Sequence, residues 1–190
     1  MNDLAFDPAT HEYRLDGRRV PSVSQILQSA GLIQPYTGDP FYGERGTAIH
    51  DACQKFNAEG DVWNFDPVVV PFVDAWKRFR ADVMFGQIIM AEERVYQSAY
   101  LFAGTPDLVV KIGNDTVLMD IKSGGRQPWH SIQLAGYAVL VRGRCGSVKR
   151  WAVYLAEDGS YKVEAFTDRR DEGIFLAALS IVQWKEKNNG

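Results

Sequence analysis

The sequence predicts an α/β protein whose central mixed β-sheet is flanked by helices and preceded by an N-terminal hairpin and a helical segment. The first observation behind this prediction is the order of patterns, because helical runs and strand pairs alternate along the chain. The second is a strong hairpin signal, Gly113-Asn114, between two apolar strands. With 190 residues, of which 46% are apolar, the chain can build a substantial core, and we expect one domain over residues 1–190.

Composition narrows the class of protein further. No run approaches the roughly 20 apolar residues that a membrane-spanning helix needs, and the N-terminus lacks the pattern of a secretory signal, so we expect no membrane partner. The two cysteines, Cys53 and Cys145, are consistent with a reducing compartment and predict a cytoplasmic protein. Two cysteines are also too few for a four-cysteine zinc site or an iron–sulfur cluster.

The N-terminal third contains one hairpin signal and two helices. Asp16-Gly17 predicts a tight turn between two short strands. Ser22-Val-Ser-Gln25 has the spacing of a capping box and predicts a short helix that ends near Gly31. A second helix is expected over residues 43–59, because its apolar residues recur on one helical face.

A third helix and a strand lead towards the centre of the chain. Asp66-Pro67 is a good pair for the start of a helix. The apolar face of this helix consists of Val69, Phe72, Val73, Trp76, Phe79 and Val83. A single strand is expected over about residues 88–97.

The central hairpin brings chemically reactive residues together. With Gly113 and Asn114 as its loop, Asp107 and Asp120 lie opposite each other, with Cβ atoms about 4.5–5.5 Å apart. The two-residue period of a strand places Lys122 on the same face as Asp120. The other face is wholly apolar and consists of Leu108, Val110, Ile112, Val117, Met119 and Ile121. Because like charges in direct opposition destabilise a sheet, a divalent cation is the natural compensation.

The C-terminal third predicts a helix, a strand pair and a last helix. The helix begins at Pro128 and ends before Gly143, and the strands cover residues 148–156 and 161–166. The last helix begins at Asp168, and its apolar residues are Ile174, Leu176, Ala177, Leu179, Ile181, Val182 and Trp184.

Basic residues are concentrated in one segment. The net charge of −3 argues against a general nucleic-acid coat, yet residues 121–156 contain no acidic residue. The six basic residues of this segment are Lys122, Arg126, Arg142, Arg144, Lys149 and Arg150. They predict an electropositive surface beside the two carboxylates, although an ordinary solvated helix end and strand would give the same pattern.

Several motifs, in this order, resemble those of the PD-(D/E)XK nuclease superfamily and of its RecB-like branch, which includes phage recombination exonucleases. They are Gly46-Thr-Ala-Ile-His50, Pro106-Asp107, Asp120-Ile-Lys122 and Gln133-Leu-Ala-Gly-Tyr137. Residues 13–23 also resemble small phage and bacterial members of that branch. A lone D-x-K motif is common by chance, whereas the combination over about residues 11–142 is specific.

The resemblance implies a restriction-endonuclease-like core and a Mg²⁺- or Mn²⁺-dependent deoxyribonuclease, with exonuclease favoured over endonuclease. Asp107, Asp120 and Lys122 would be catalytic. The two aspartates and the Ile121 carbonyl would supply hard oxygen ligands to the metal, with His50 as a further ligand. Lys122 would orient a water molecule and stabilise the transition state.

Further roles concern the substrate and partners. Gln133 and Tyr137 share a helix face and would position the DNA backbone. Weaker candidates are Arg126 for phosphate contact and Trp129 for base stacking, and one of Glu92 and Glu93 would supply an additional acidic group. The resemblance also implies recombination or repair in a phage or bacterium, inside the bacterial cell. The partners would then be DNA, a single-strand annealing or recombination protein, and further copies of the chain.

Each residue also has an ordinary structural interpretation. Asp107 could begin a strand after a Pro-Asp turn, Lys122 could simply pair with Asp120, and His50 could be a core histidine. Asp120 is harder to explain in this way, because it interrupts an apolar run, where an unpaired carboxylate is costly. The alternative functions are a catalytically inactive nucleic-acid-binding protein on a nuclease fold, and a module that only docks partners.

Overall fold

The structure is a computed structural model and describes residues 3–35, 37–60 and 64–188. The strands are β1 (Leu4–Asp7), β2 (Glu12–Leu15), β3 (Arg18–Val20), β4 (Ile88–Ala91), β5 (Val95–Gln97), β6 (Phe102–Gly104), β7 (Leu108–Ile112), β8 (Asp115–Lys122), β9 (Lys149–Leu155) and β10 (Tyr161–Phe166). The helices are α1 (Val23–Ser29), α2 (Pro40–Glu59), α3 (Val70–Val83), α4 (His130–Cys145) and α5 (Arg170–Asn188).

The central sheet has five strands in the order β10-β9-β8-β7-β4. Strands β8 and β9 are parallel and the other neighbours are antiparallel, so the sheet is mixed. Helices α2 and α3 cover one face, and α1, α4 and α5 cover the other. The predicted α/β class, with a mixed sheet between helices, is therefore confirmed. Among the described residues, no helix is both long and apolar enough to span a bilayer.

The N-terminal segment forms a three-stranded sheet, β1-β2-β3, that leads into α1. The predicted Asp16-Gly17 turn is present, and both residues have positive φ angles, 50° and 78°, which two-residue hairpin loops favour. The predicted capping box is also present: Ser22 Oγ accepts from the Gln25 N–H at 3.2 Å, and Gln25 Oε1 accepts from the Ser22 N–H at 3.0 Å. Strand β1 was not predicted.

Two helix starts differ from the predicted positions. Helix α2 begins at Pro40 rather than residue 43, because Asp39 caps it by accepting from the Phe41 N–H at 3.0 Å. Helix α3 begins at Val70 rather than after Asp66, because the Asp66 side chain caps a preceding turn, where it accepts from the Val68 N–H. The predicted apolar face of α3 nevertheless packs in the core.

The strand predicted over residues 88–97 is two strands in different sheets. Strand β4 pairs with β7 at the edge of the central sheet, and β5 pairs with β6. Glu92 lies between them with a positive φ of 48°, a backbone conformation that a regular strand does not contain. The chain therefore changes direction at a residue that alternation of apolar and polar positions does not reveal.

The central hairpin has the predicted register. Its ladder runs from Ile112 opposite Asp115 to Leu108 opposite Met119, around the Gly113-Asn114 loop, in which Gly113 has φ 56°. The predicted apolar face packs against α2 and α3. The other face packs against α1, α4 and α5, since Val109 and Leu118 lie in the core on that side. The carboxylates of this face lie at the end near Lys122, and Lys111 lies at the loop end.

The C-terminal helices differ from the predictions in two ways. Helix α4 continues through Gly143 and ends at Cys145, followed by Gly146 with φ 67°. Helix α5 buries only part of the predicted apolar set: Leu179 and Val182 are buried, together with Phe175 and Ala178, whereas Ile174, Ile181 and Trp184 are exposed. The helix is apolar over much of its circumference, so periodicity alone left the inward face undetermined.

Candidate active site

Asp107 immediately precedes β7, at the end of the hairpin where β8 finishes. Its Oδ2 accepts a hydrogen bond from the Ile121 N–H at 2.7 Å and lies 3.4 Å from His50 Nδ1. The His50 side chain comes from α2, which passes close to the β8 end; a Cβ on Gly46 would lie 3.5 Å from Ser123 Oγ. The Gly-Thr-x-x-His segment thus places the His50 imidazole next to the Asp107 carboxylate.

Asp107 and His50, together with Glu92, form a cluster that can hold a metal ion. His50, Glu92 and Asp107 each offer one ligand atom, and these atoms all lie within 4.8 Å of one another. The cluster gathers residues from α2, from the bend after β4 and from the residue before β7. Of the two adjacent glutamates, the structure brings Glu92 to the site, whereas Glu93 binds Arg144 at the surface.

The two acidic members have raised pKa values. Burial is the main cause for Glu92, whose pKa rises to about 8, and the charges of Asp107, Asp120 and Asp51 add to the rise. Burial also raises the pKa of Asp107 to about 6, against the opposing effects of His50 and Lys122. Buried carboxyls that lie close to other carboxyls are stable when they are protonated or when a cation is bound.

Asp120 lies on the same hairpin but is held differently. Its carboxylate is buried, with the residue 2% exposed, and Oδ2 lies 2.5 Å from Lys122 Nζ. This ion pair with the ammonium balances the charge of the buried carboxylate. Such a pair offsets part of the cost of removing both charges from water.

Extending the hairpin register by two residues places Pro106 opposite Ile121. In an antiparallel ladder of this phase, the N–H and C=O of Ile121 both point towards the β7 side. Pro106 has no N–H to donate to the Ile121 carbonyl, and the Ile121 N–H is taken by the Asp107 carboxylate. The predicted carbonyl ligand thus faces a position where the ladder supplies no donor.

The donor set fits a hard divalent cation. Carboxylate oxygens, one imidazole and a carbonyl suit Mg²⁺ or Mn²⁺, and neutralisation by a cation would relieve the crowding of Asp107, Glu92 and Asp120. The convergence of His50, Glu92 and Asp107, whose ligand atoms lie within 4.8 Å of one another, is the observation that supports this fit.

Lys122 connects the carboxylates to helix α4. Its Nζ donates to Gln133 Oε1 at 2.8 Å and lies 5.3 Å from the centre of the Trp129 ring. Trp129 is half-buried and also contacts the His130 ring edge-on, so its indole supports the lysine. Arg126, in the loop after β8, is exposed and bonded to both oxygens of Glu164.

Gln133 and Tyr137 lie on the same face of α4, as predicted, and both are buried. Besides its contact with Lys122, Gln133 donates from Nε2 to Ser24 Oγ at 3.4 Å. The Tyr137 hydroxyl also interacts with Ser24, and burial raises its pKa well above the usual value. Both side chains therefore contact protein groups next to the carboxylates.

Three polar residues around the site were missed by sequence reasoning. Ser24 follows the capping serine, and only contact across the fold reveals its partner. His130 is buried and neutral at pH 7, because burial lowers its pKa to about 4; its Nδ1 lies 2.9 Å from the Tyr154 hydroxyl. The Thr105 hydroxyl lies 2.7 Å from that of Tyr13, which ties β2 to the Pro-Asp segment.

The predicted electropositive surface is not present. Each of the six basic residues of residues 121–156 has an acidic partner, and all six partners lie outside the segment. The pairs are Lys122–Asp120, Arg126–Glu164, Arg142–Glu172, Arg144–Glu93, Lys149–Asp115 and Arg150–Asp171. A charge cluster along the chain is thus neutralised by folding.

The fold and the site together define an α/β protein with an acidic cluster suited to a divalent cation. No protein-family model matches the chain, and neither does any curated protein. The chain is similar in structure to an alkaline exonuclease, LHK-Exo, from Laribacter hongkongensis, with a TM-score of 0.42 and 14% identity over 88% of this chain and 91% of that one. It is also similar to the protein SSO0001, with a TM-score of 0.40 and 12% identity over 85% and 83% of the two chains. Both similarities concern the arrangement of helices and strands.

Proposed function

We propose that this chain is a metal-dependent nuclease that hydrolyses phosphodiester bonds in DNA. The observation that carries the proposal is the cluster of ligand atoms from His50, Glu92 and Asp107, with Asp120 and Lys122 on the same hairpin as Asp107. Two buried carboxyls with raised pKa values beside an imidazole are costly for stability alone, whereas a bound cation would neutralise them.

The ion would be held by Asp107, Asp120, His50 and Glu92, with the Ile121 carbonyl as a further ligand. A bound Mg²⁺ or Mn²⁺ lowers the pKa of a water molecule and neutralises charge on the scissile phosphate. The chain's contribution is to fix its ligands, as the Ile121 N–H does for Asp107 and the ion pair with Lys122 does for Asp120.

Lys122 would act on the phosphate and the attacking water. Its ammonium is confined between Asp120, Gln133 and the Trp129 ring, so it has one position rather than many. In hydrolysis, the water oxygen forms a bond to phosphorus as the bond to the leaving oxygen breaks. A fixed positive charge stabilises the negative charge that develops on the phosphate oxygens during this step.

DNA as substrate, exonuclease action and a role in phage or bacterial recombination or repair rest on the motif resemblance. Gln133 and Tyr137 would position the DNA backbone, Gln133 through its contact with Lys122. Arg126 would have to exchange Glu164 for a phosphate, so we place it, with Trp129, at the margin of the site. Additional copies of the chain, or a recombination protein that anneals single strands, are the partners that the resemblance suggests.

The test is digestion of end-labelled linear DNA and of a closed circular plasmid, each with Mg²⁺, with Mn²⁺ and with EDTA. We expect metal-dependent degradation of the linear DNA and an intact circle. Nicking of the circle would indicate an endonuclease. The double variant Asp107→Asn/Asp120→Asn is the control for contaminating nuclease. DNA binding without digestion under every metal condition would overturn the proposal in favour of an inactive DNA-binding protein.

A further inference from the structure

We propose that Ser24 is a positioning residue that orients the Gln133 amide towards Lys122; this inference rests on the proposed nuclease function. Gln133 is 6% exposed and bridges two elements, since its Oε1 accepts from Lys122 Nζ at 2.8 Å and its Nε2 donates to Ser24 Oγ at 3.4 Å. An ammonium can only donate, so the amide has one acceptable orientation. Ser24 is the acceptor that holds the other end of the amide in that orientation.

The hydroxyl is carried by a rigid element. Helix α1 is anchored by Val23, Ile26 and Leu27, all 0% exposed. Ser24 therefore has little freedom relative to α4, which carries Gln133. Its interaction with Tyr137 adds a second contact to the same helix face.

Loss of the Ser24 hydroxyl would release the amide rather than unfold the site. A Gln133 amide without an acceptor for Nε2 is held only at Oε1 and can rotate away from Lys122, because its buried N–H is then unpaired. Lys122 would then lose one of the groups that confine it, while Asp107, Glu92 and His50 keep their contacts. The effect should therefore fall on turnover and not on metal binding.

The chain offers a matched control two residues away. Ser22 caps helix α1 by accepting from the Gln25 N–H, and this side-chain hydrogen bond, described in the structure, lies within the helix start, so its role is structural. We expect Ser24→Ala to lower kcat about tenfold with KM within about twofold, because small misplacements of catalytic groups reduce rates strongly. Ser24→Thr, which keeps the hydroxyl, should retain most of the activity. Ser22→Ala should lower the melting temperature and leave kcat unchanged.

A double variant separates positioning from general support of the fold. If Ser24 acts through Gln133, Ser24→Ala/Gln133→Ala should be no slower than Gln133→Ala alone, because coupled residues are not additive. Fully additive losses, or equal kcat for Ser24→Ala and Ser22→Ala, would overturn the assignment.

The contact can also be tested without activity. The proteins to compare are the parent, Ser24→Ala, Gln133→Ala and the double variant. Their melting temperatures in EDTA should show non-additivity between the two substitutions. If the parent digests no DNA, the proposed function fails, yet this thermal cycle still decides whether Ser24 holds Gln133. Additive melting shifts would show that it does not.

Discussion

The Ile121 N–H bonds to the carboxylate of Asp107 at 2.7 Å instead of to a strand carbonyl. The β7–β8 ladder thus ends in a side chain, and the register places Pro106, which lacks an N–H, opposite Ile121. At this end of the hairpin, side-chain and carbonyl oxygen atoms therefore take the place of backbone pairing. The Pro-Asp dipeptide accounts for both changes, since proline ends the ladder and aspartate replaces it.

Lys122→Ala should reduce turnover by about 10²–10³-fold, the usual cost of removing one positioned group from a transition state. The thermal shift on adding Mn²⁺ should persist, because the cluster of His50, Glu92 and Asp107 remains. Lys111→Ala is the control, since this lysine lies on the same hairpin and bonds to Thr116. Activity within about threefold of the parent would remove Lys122 from the mechanism.

Gln133→Ala and Tyr137→Phe should weaken DNA cleavage while metal affinity, measured by calorimetry, stays the same. Both residues lie on α4, outside the hairpin, and neither belongs to the acidic cluster. Loss of metal binding in either variant would assign that residue to the metal site instead.

In EDTA, the free energy of unfolding should fall as pH rises from about 5 to 8. The pKa of Glu92 is about 8 in the folded chain against an ordinary value of 4.5, and that of Asp107 is about 6 against 3.8. Over this window the native state binds more protons than the unfolded state, so raising the pH favours unfolding. Thermal melts across the pH range measure the effect.

Glu92→Gln should flatten the upper part of that pH profile and weaken the Mn²⁺ shift. Glu93→Gln is the matched control, because its carboxylate binds Arg144 at the surface and should leave both unchanged. Parallel profiles for the parent and Glu92→Gln would mean that another group titrates in this window.

Gly136→Ala should destabilise the protein by about 1–3 kcal/mol through overpacking. A Cβ at Gly136 would lie 2.5 Å from Phe175 Cε2, so α4 and α5 would have to move apart. Gly143 lies on the same helix, and a Cβ there would have no neighbouring atom within 4 Å among the described residues. Gly143→Ala should therefore stabilise the protein by about 0.5–1 kcal/mol. Urea denaturation distinguishes the two variants, and equal shifts would contradict the close packing of α4 on α5.

The parts that local sequence rules determine were predictable. The Gly113-Asn114 loop set the hairpin register, and extending that register by one residue places Asp107 opposite Asp120. The capping-box spacing of Ser22 and Gln25 predicted the start of α1. The pairing of Lys122 with Asp120 also follows from two-residue periodicity on one strand.

Residues that depend on the path of the chain were not predictable. The choice between Glu92 and Glu93 is made by a positive φ at Glu92, and no residue type there signals it. Ser24 lies 109 positions from its partner Gln133. The exposed face of α5 likewise depends on how α5 packs against α1 and α4, which an all-round apolar pattern does not specify.

The neutralised basic segment has a kinetic consequence. Because Arg126, Arg142, Arg144, Lys149 and Arg150 are paired with carboxylates and the net charge is −3, little long-range field attracts a polyanion. Encounter with DNA should then proceed without steering, near the roughly 10⁵–10⁶ M⁻¹s⁻¹ of uncharged partners, and respond only weakly to ionic strength. Such a protein would rely on capture at its site, or on delivery by a partner already bound to the strand.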